Sequence, residues 1–248
     1  MQKTPLEELY AEDLAYIHHV GFPDMIDGAS APLLQEFADR GIHDGLIVDL
    51  GCGGGGWSRR LTDAGYQAWG CDISPSMIAL ARATAPAAQF EVASLFDAEL
   101  PPCRAVTALG EGFNYGMSGT DPAATMRDAL MRIADALPPG GLFVFDLVIR
   151  DADAPMAYRN WKIGEDWAIL IEVHEDLKAH SLSRDATLFR EVDGHYRRSQ
   201  ECHVIGVPAA EDVLQQLDQA GFDAEVRDGY GNFKVLNRRA AFYATRRP

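Results

Sequence analysis

The hydrophobic and polar positions of the chain follow two recurring patterns over the first 150 residues. Short apolar runs, such as GLIVDLG and LFVFDLV, are typical of strands that are buried on both faces of a parallel sheet. Between these runs lie segments with apolar residues three and four positions apart, which predict helices. Strands that alternate with helices in this way predict a parallel sheet with helices on both faces.

Capping residues mark the points where several of these helices begin. Ser74-Pro75 and Asp121-Pro122 each pair a capping side chain with a proline at the first helical position. Ser30 stands before APLLQEFADRG and is predicted to cap a helix that starts there.

Residues 151–206 follow a different pattern. The segments WAILIEVHEDL, DATLFREV and GHYRRSQECHVIGV alternate apolar and polar residues, and Asp193-Gly194 between the last two is a strong hairpin signal. We therefore predict an antiparallel meander inserted into the α/β domain. The chain then returns to a helix, AAEDVLQQLDQAGF, and two last strands, AEVRDGY and RAAFYATRR.

The first strand ends in a run of glycines, IVDLGCGGGGWS, that satisfies two patterns. Gly51, Gly53 and Gly56 form GxGxxG, the dinucleotide fingerprint. Asp49, Gly51, Gly53 and Gly55 form DxGxGxG, the pattern of enzymes that bind S-adenosylmethionine (SAM). Glycines at a strand-to-helix turn let a ligand approach the backbone and the helix terminus closely, so either ligand class fits the turn itself.

Features outside the turn separate the two ligand classes. Asp72, at the end of the second strand, suits both, because both present ribose hydroxyls there. Asp49 would repel a pyrophosphate, but it can support the ammonium group of an amino-acid ligand. The segments GCDISPSMIALAR and LPPGGLFVFDLV and the closing pair of strands complete a set. Over residues 45–150 and 207–246 the chain resembles the class I SAM-dependent methyltransferases.

This resemblance implies a Rossmann-like α/β fold. Its seven-stranded sheet has the order 3-2-1-4-5-7-6, with the last strand antiparallel and helices on both faces. Residues 1–150 and 207–248 would form the SAM-binding domain, with residues 1–44 as a helical lid. Residues 151–206 resemble the inserted sheet of small-molecule methyltransferases, such as sugar N-methyltransferases and glycine N-methyltransferase, and would cover the acceptor or form a homodimer contact.

The resemblance also implies a set of cofactor-binding residues. They are Asp49, Gly51, Cys52, Gly53, Asp72, Ile73, Met77, Ser94, Leu95 and Gly110. The glycine loop would line the methionine part of SAM, with Asp49 supporting the ammonium. Asp72 would accept hydrogen bonds from the ribose hydroxyls, while Ile73 and Met77 would flank the adenine.

The adenine amino group is the contact at which this chain departs from the family. Many relatives have an aspartate after the third strand, whereas this chain has Ser94. We expect Ser94 and the Leu95 backbone to contact the adenine; Asp97, three residues later, is the alternative.

The methyl acceptor is expected beyond the fourth strand, since ligands bind outside the carboxyl ends of parallel strands. The segment ALGEGFNYG lies there and offers Glu111, Asn114 and Tyr115. The N-terminal segment LYAEDLAYIHHVGF could close over the site, bringing Tyr10 and His18 to it.

We predict Glu111 and His18 as the catalytic pair, and Tyr10, Asn114 and Tyr115 as substrate-binding residues. His19, His174 and His203 are weaker candidates for a base. The arginines of HYRRSQ either meet an acidic substrate or stand in solvent.

The composition of the chain disfavours several classes of binding partner. A formal net charge of −15 disfavours a nucleic-acid substrate, and no apolar run approaches the roughly 20 residues of a membrane span. The N-terminus is acidic and amphipathic rather than a secretory signal, so we expect a cytoplasmic protein. The four cysteines form no CxxC pair, which favours buried thiols over a metal site.

Together these observations predict a methyltransferase that moves a methyl group from SAM to a small-molecule nitrogen or oxygen, leaving S-adenosylhomocysteine (SAH), without a metal. Two alternatives remain at this stage: a SAM-binding protein that transfers nothing, and an NAD(P)-dependent oxidoreductase. The identity of the acceptor is not determined by the sequence.

Overall fold

The computed structural model describes residues 2–118, 121–150, 155–235 and 238–248. Its helices are α1 (Glu12–Gly21), α2 (Asp24–Asp39), α3 (Gly56–Asp63), α4 (Pro75–Thr84), α5 (Pro122–Ala136) and α6 (Ala210–Gln219). Its first five strands are β1 (Leu46–Leu50), β2 (Gln67–Asp72), β3 (Gln89–Val92), β4 (Ala105–Ala108) and β5 (Leu142–Val148). The others are β6 (Ala157–Ile163), β7 (Trp167–Asp176), β8 (Ser181–Val192), β9 (His195–Gly206), β10 (Phe222–Arg227), β11 (Gly229–Tyr230), β12 (Phe233–Lys234) and β13 (Arg239–Arg246).

Seven strands form the main sheet, in the order β3-β2-β1-β4-β5-β13-β10. This confirms the predicted order, because β10 and β13 are the sixth and seventh strands of that sheet along the chain. The last strand, β13, runs antiparallel to both of its neighbours. Its first residue, Arg239, therefore lies beside Val148, at the edge where the parallel strands end.

Helices cover both faces of the main sheet, as predicted. On one face α2 and α3 bury Leu33, Phe37, Trp57 and Leu61 against the sheet. On the other face, α5 and α6 pack against β4, β5 and β13 in a second cluster. All four cysteines are buried.

The helix starts were predicted correctly at two positions and wrongly at a third. Ser74 accepts a hydrogen bond from Met77 N, and Asp121 accepts one from Ala124 N, so both are N-caps. Ser30 is not a cap, because α2 begins at Asp24 and the Ser30 hydroxyl donates to the carbonyl of Ile26, one turn earlier.

The N-terminal helices differ in what they cover. Helix α2 belongs to the layer that packs on the main sheet, so it is not part of a lid. Helix α1 instead buries Leu14 and Ile17 against Trp167, Ile169 and Leu188 of the inserted sheet. The covering element is therefore α1 and the segment before it, rather than all of residues 1–44.

The insertion is an antiparallel meander in the order β6-β7-β8-β9, one strand more than the pattern predicted. Strand β6 escaped prediction because all seven of its residues are exposed, so it lacks a buried alternating face. Asp193 (φ 52°) and Gly194 (φ 75°) form the predicted hairpin turn between β8 and β9. The predicted start of the insertion, at 151, lies outside the described residues.

Replacing Gly55 should destabilise the fold, because its φ of 78° is left-handed and a Cβ there would lie 2.8 Å from Ala81 Cα. We expect Gly55→Ala to lower the free energy of unfolding by about 2–3 kcal/mol, measured by urea denaturation. Gly65→Ala is the control, since Gly65 has φ 93° with open space around it, and should cost about 1 kcal/mol. Equal losses would rule out the contact with α4 as the cause.

Candidate active site

The glycine loop lies at the carboxyl end of β1. Gly51, Gly53 and Gly55 adopt left-handed φ angles of 66°, 51° and 78°, which side chains other than glycine adopt at a cost. No atom lies within 4 Å of the position that a Cβ on Gly53 would take. The loop therefore offers bare backbone to open space just before the N-terminus of α3.

Asp72 ties this loop to the next one. Its Oδ2 accepts the N–H of Gly53 at 3.0 Å, and its Oδ1 accepts the N–H of Ser74 at 2.9 Å. The side chain is still partly exposed, so its remaining lone pairs can accept hydrogen bonds from a ligand. Burial raises the pKa of Asp72 above its ordinary value.

Asp49 lies behind the loop and is nearly inaccessible. Its Oδ2 accepts a hydrogen bond of 2.7 Å from the Ser58 hydroxyl, in the first turn of α3. Burial raises the pKa of Asp49 to about 7, and the negative charge of Asp72 adds to the shift. A positive ligand group in front of the loop would favour the ionised form of this carboxyl group.

The other predicted cofactor residues lie on the glycine loop and on the loops beside it. Cys52 is buried within the loop, Ile73 and Met77 follow Asp72, and a Cβ on Gly51 would contact Leu95. The Ser94 hydroxyl, however, accepts the N–H of Phe96 and starts a local turn. Its contact with adenine therefore stays a prediction.

Gly110 lies in the loop after β4, on the opposite side of β1 from Asp72. Its φ is 93°, no atom lies within 4 Å of where its Cβ would be, and its N–H donates to Asp146 Oδ1 at 2.7 Å. Asp146 is fully buried on β5 and also accepts the Tyr230 hydroxyl. Sequence reasoning missed Asp146, which holds this loop in place.

The N-terminal segment covers the glycine loop. A Cβ on Gly54 would lie 2.3 Å from His19 Nδ1, so α1 packs directly over the loop. The carbonyl oxygen of Tyr10 accepts a 2.7 Å hydrogen bond from Ser74, which is next to the loop that follows β2. Tyr10 itself has a left-handed φ of 51°.

Glu111 is bound by two arginines that sequence reasoning did not select. It is 1% exposed, and its carboxylate pairs with Arg184 of β8 at 2.5 Å and with Arg239 of β13. Its φ of 68° is strained for a residue with a side chain. Among the described residues, no hydrogen bond joins Glu111 to His18. A carboxylate held by two cations is a poor proton acceptor, so the structure does not support the predicted pair.

His18 lies beside these arginines. Its ring contacts Tyr10 edge-on at 5.3 Å and stacks on Phe22. Burial, together with the positive charge of Arg239, lowers the pKa of His18 to about 4. Part of the residue is still exposed to solvent.

Asn114 has a different role from the predicted one. Its amide nitrogen donates to the carbonyls of Val148 and Gly206, at 2.9 and 2.7 Å, and its oxygen accepts the Val148 N–H at 3.0 Å. The residue is fully buried, and no donor remains for a substrate. The prediction that Asn114 binds substrate is therefore corrected: it joins the ends of β5 and β9.

Tyr115 takes part in a hydrogen-bonded chain that reaches into the inserted sheet. Its hydroxyl lies 2.8 Å from His203 Nδ1 and 3.4 Å from the Tyr10 hydroxyl. His203 Nε2 lies 2.9 Å from Glu201 Oε2. Tyr10 and Tyr115, both predicted from sequence, are thus brought together with two residues 86 or more positions further along the chain.

The aromatic residues and the arginines of the insertion lie in different surroundings. Trp161 and Tyr196 are largely exposed, whereas Trp167 is buried against α1. Arg197 of HYRRSQ pairs with Glu12 and Asp13 at the start of α1 and so fastens the covering helix.

Comparison with known proteins agrees with this geometry. A family profile described as a methyltransferase domain matches residues 47–141. A protein of Geobacillus sp. (strain WCH70), provisionally named a methyltransferase, is 28% identical over 206 residues, 76% of this chain and 77% of the relative. Residues 47–141 therefore match a methyltransferase domain, and the chain has the fold of SAM-dependent methyltransferases.

Solved structures share the fold of this methyltransferase over its whole length. The sugar N-methyltransferase of Streptoalloteichus sp. has a TM-score of 0.79 at 20% identity, covering 100% of this chain and 98% of that one. The SAM-bound amino pentose methyltransferase of Micromonospora echinaspora has a TM-score of 0.73 at 18% identity, covering 99% and 100%. These likenesses concern the fold, including the inserted sheet.

The residues of the methyltransferase fit SAM. The bare backbone of Gly51 and Gly53 leaves room that a Cβ would fill, and Asp72 retains acceptor capacity beside it. Asp49 supplies negative charge behind the loop. Within the described parts of the chain, no three His, Cys, Asp or Glu side chains gather as a metal site, and no helix is long and apolar enough to cross a membrane.

Proposed function

We propose that this methyltransferase methylates a nitrogen or oxygen atom of a small-molecule acceptor. The observation that carries the proposal is a cluster of polar side chains from the β4 loop, the N-terminal segment and the inserted sheet. Tyr10 contacts both Tyr115 and His18, and Arg184 pairs with Glu111 in this cluster. Because α1 and the inserted sheet pack together over the main domain here, the cluster suits a small molecule better than a polymer.

In this proposal SAM lies on the glycine loop and supplies the methyl group from its sulfonium. Asp49 supports the ammonium group, Asp72 accepts the ribose hydroxyls, and Ile73, Met77, Ser94 and Leu95 surround the adenine. Gly51, Cys52, Gly53 and Gly110 line the ligand with backbone. The open space in front of Gly53 and Gly110 supports this placement.

The acceptor lies beside the Tyr10 and Tyr115 hydroxyls, in line with the sulfonium. Holding the two reactants in this alignment supplies much of the rate enhancement, on the order of 7–11 kcal/mol in favourable cases. Glu111 positions Arg184 and Arg239 around the acceptor. His18, held neutral by its lowered pKa, adds no positive charge beside the acceptor.

The direct test combines binding and turnover. Calorimetry with SAM, SAH and NADH should show micromolar binding of both adenosyl ligands and no binding of NADH. Incubation with SAM and a panel of small amines, amino sugars and alcohols should then release SAH for at least one acceptor class. The structural likeness to a sugar N-methyltransferase supports placing amino sugars in the panel. If SAM and SAH bound but no panel member was methylated, the result would favour a SAM-binding protein that does not methylate small amines, amino sugars or alcohols.

Cofactor affinity should depend on pH through Asp49. The pKa of about 7 means that the carboxyl group is neutral below pH 7 and ionised above it, and only the ionised form attracts the ammonium. We expect the Kd for SAH to rise about tenfold from pH 8 to pH 6. In Asp49→Asn the affinity should be lower and nearly independent of pH over this range. A pH dependence that persists in Asp49→Asn would assign it to another group, such as Asp72.

A further inference from the structure

The middle of the inner face of the inserted sheet carries three polar residues among apolar ones. Val173, Leu182, Ala186, Leu188 and Ile205 form its buried part. Arg184, Glu201 and His203 interrupt this face, and the register places Arg184 directly beside His203 on neighbouring strands. Glu201 and His203 are each 5% exposed. Buried polar side chains on an apolar face need a reason, because burial without partners is costly.

The hydrogen bonds of Glu201 determine which atoms donate and which accept in the series Glu201–His203–Tyr115. Its Oε2 accepts Tyr10 N at 2.8 Å, and its Oε1 accepts Ala11 N at 3.0 Å, so both oxygens act as acceptors. His203 Nε2 must then donate to Glu201, and Nδ1 presents a lone pair. The Tyr115 hydroxyl therefore donates to His203 Nδ1, and its oxygen is left to accept.

We propose that Tyr115, His203 and Glu201 form a proton relay that deprotonates the methyl acceptor. Tyr115 is the catalytic residue of the relay, since it contacts the acceptor, and His203 and Glu201 act through it. The inference rests on the proposed function and names the group that removes the proton. The relay therefore takes the role of base that was predicted for Glu111, because two arginines bind the Glu111 carboxylate.

The transfer balances without any further reactant. The acceptor's N–H or O–H proton passes to the Tyr115 oxygen while the original Tyr115 proton passes to His203 Nδ1. The lone pair freed on the acceptor atom forms the new bond to the methyl carbon, and the electron pair of the broken carbon–sulfur bond stays on sulfur. His203 becomes an imidazolium next to the Glu201 carboxylate and later releases its proton to solvent.

A relay explains why the hydroxyl alone is not the base. Burial raises the pKa of Tyr115 well above its ordinary value, so the side chain stays protonated at neutral pH and can only exchange its proton. Tyr10 faces the Tyr115 oxygen from the N-terminal segment. Because Glu201 also holds the backbone of Tyr10 and Ala11, the covering segment and the relay are connected.

The test uses the panel acceptor with the fastest turnover. Tyr115→Phe and His203→Gln should each lower kcat at least 100-fold, the scale of general base catalysis. The KM for the acceptor should change less than threefold, and SAH affinity less than twofold. His195→Gln, at the exposed end of the same strand, and Tyr196→Phe are matched controls and should keep kcat within twofold.

The pH profile separates a proton role from a structural one. The kcat of the wild-type enzyme should decrease as the pH falls through a single ionisation. This acid limb of the pH profile should be absent in His203→Gln. The groups that face His203 are Glu201, Tyr115, Tyr10, Arg184 and His18, so the limb is assigned only through this variant. If either relay variant kept a third or more of kcat, or if the limb persisted in His203→Gln, the relay would be overturned.

A measurement without acceptor keeps the two proposals distinguishable. Nitrogen-15 spectra of the imidazole rings, assigned by the signal missing in His203→Gln, should show His203 protonated at Nε2 at neutral pH. Protonation at Nδ1 would reverse the chain and contradict the relay. Wild-type protein that turned over no panel acceptor, but in which His203 was protonated at Nε2, would contradict the proposed acceptor class. It would still agree with the hydrogen-bond geometry of the relay.

Discussion

Asp72→Ala should raise the Kd for SAH about 100-fold or more in calorimetry. The substitution removes the acceptor for the ribose hydroxyls and also the two hydrogen bonds that hold Gly53 N and Ser74 N. A hydrogen bond to a charged group contributes about 1.5–3 kcal/mol, and about 2.7 kcal/mol corresponds to 100-fold in affinity. The variant therefore tests the cofactor half of the site as a whole.

The control for this variant is Asp63→Ala. Asp63 is an exposed aspartate on α3 that pairs with Arg59, and its loss should change the Kd less than twofold. Unchanged affinity in Asp72→Ala would remove the assignment of the cofactor to this loop. Asp72→Asn keeps one acceptor oxygen, so it should fall between wild type and Asp72→Ala.

Asn114→Ala should lower the free energy of unfolding by about 3–5 kcal/mol. The substitution leaves Val148 N, Val148 O and Gly206 O in the interior without their partner, and each unsatisfied group costs about 1–3 kcal/mol. Urea denaturation monitored by tryptophan fluorescence would measure the loss. Because Asn114 joins the main sheet to the inserted sheet, the unfolding transition should also become broader.

Asn160→Ala provides the comparison for Asn114. Asn160 is exposed on β6 and bonds only to the backbone of its neighbour Trp161, so the change should stay within about 0.5 kcal/mol. A stable Asn114→Ala protein that had lost its turnover would restore the substrate-binding role that the sequence suggested for this residue.

The neighbouring positions of the glycine loop and Asp72 could be predicted from sequence because the parts are local. Strand β1 ends at Leu50, helix α3 begins at Gly56, and Asp72 ends the next strand. In a parallel sheet the carboxyl ends of neighbouring strands meet at one edge, so such motifs imply their own geometry. Ser94 is the exception, because its hydroxyl is used within its own turn.

The capping signals show where local reasoning ends. Ser74 and Asp121 cap helices as predicted, since a cap depends on atoms two or three residues away. Ser30 carries the same local signal, but Met25, Ile26 and Ala29 pack in the cluster on the main sheet, so the apolar face of α2 begins before Ser30. Strand β6 was missed for the opposite reason, because it is paired but buries no side chain.

The sequence by itself predicted the resemblance to SAM-dependent methyltransferases, the order of strands in the main sheet and the loop at which we place the cofactor. Only the tertiary structure decided the acceptor half, where Glu111 pairs with Arg184 and Arg239 and where Tyr115 meets His203. These residues lie on strands of two different sheets and are far apart along the chain. Their contacts depend on how the inserted sheet and α1 pack against the main domain, which no local pattern of residues specifies.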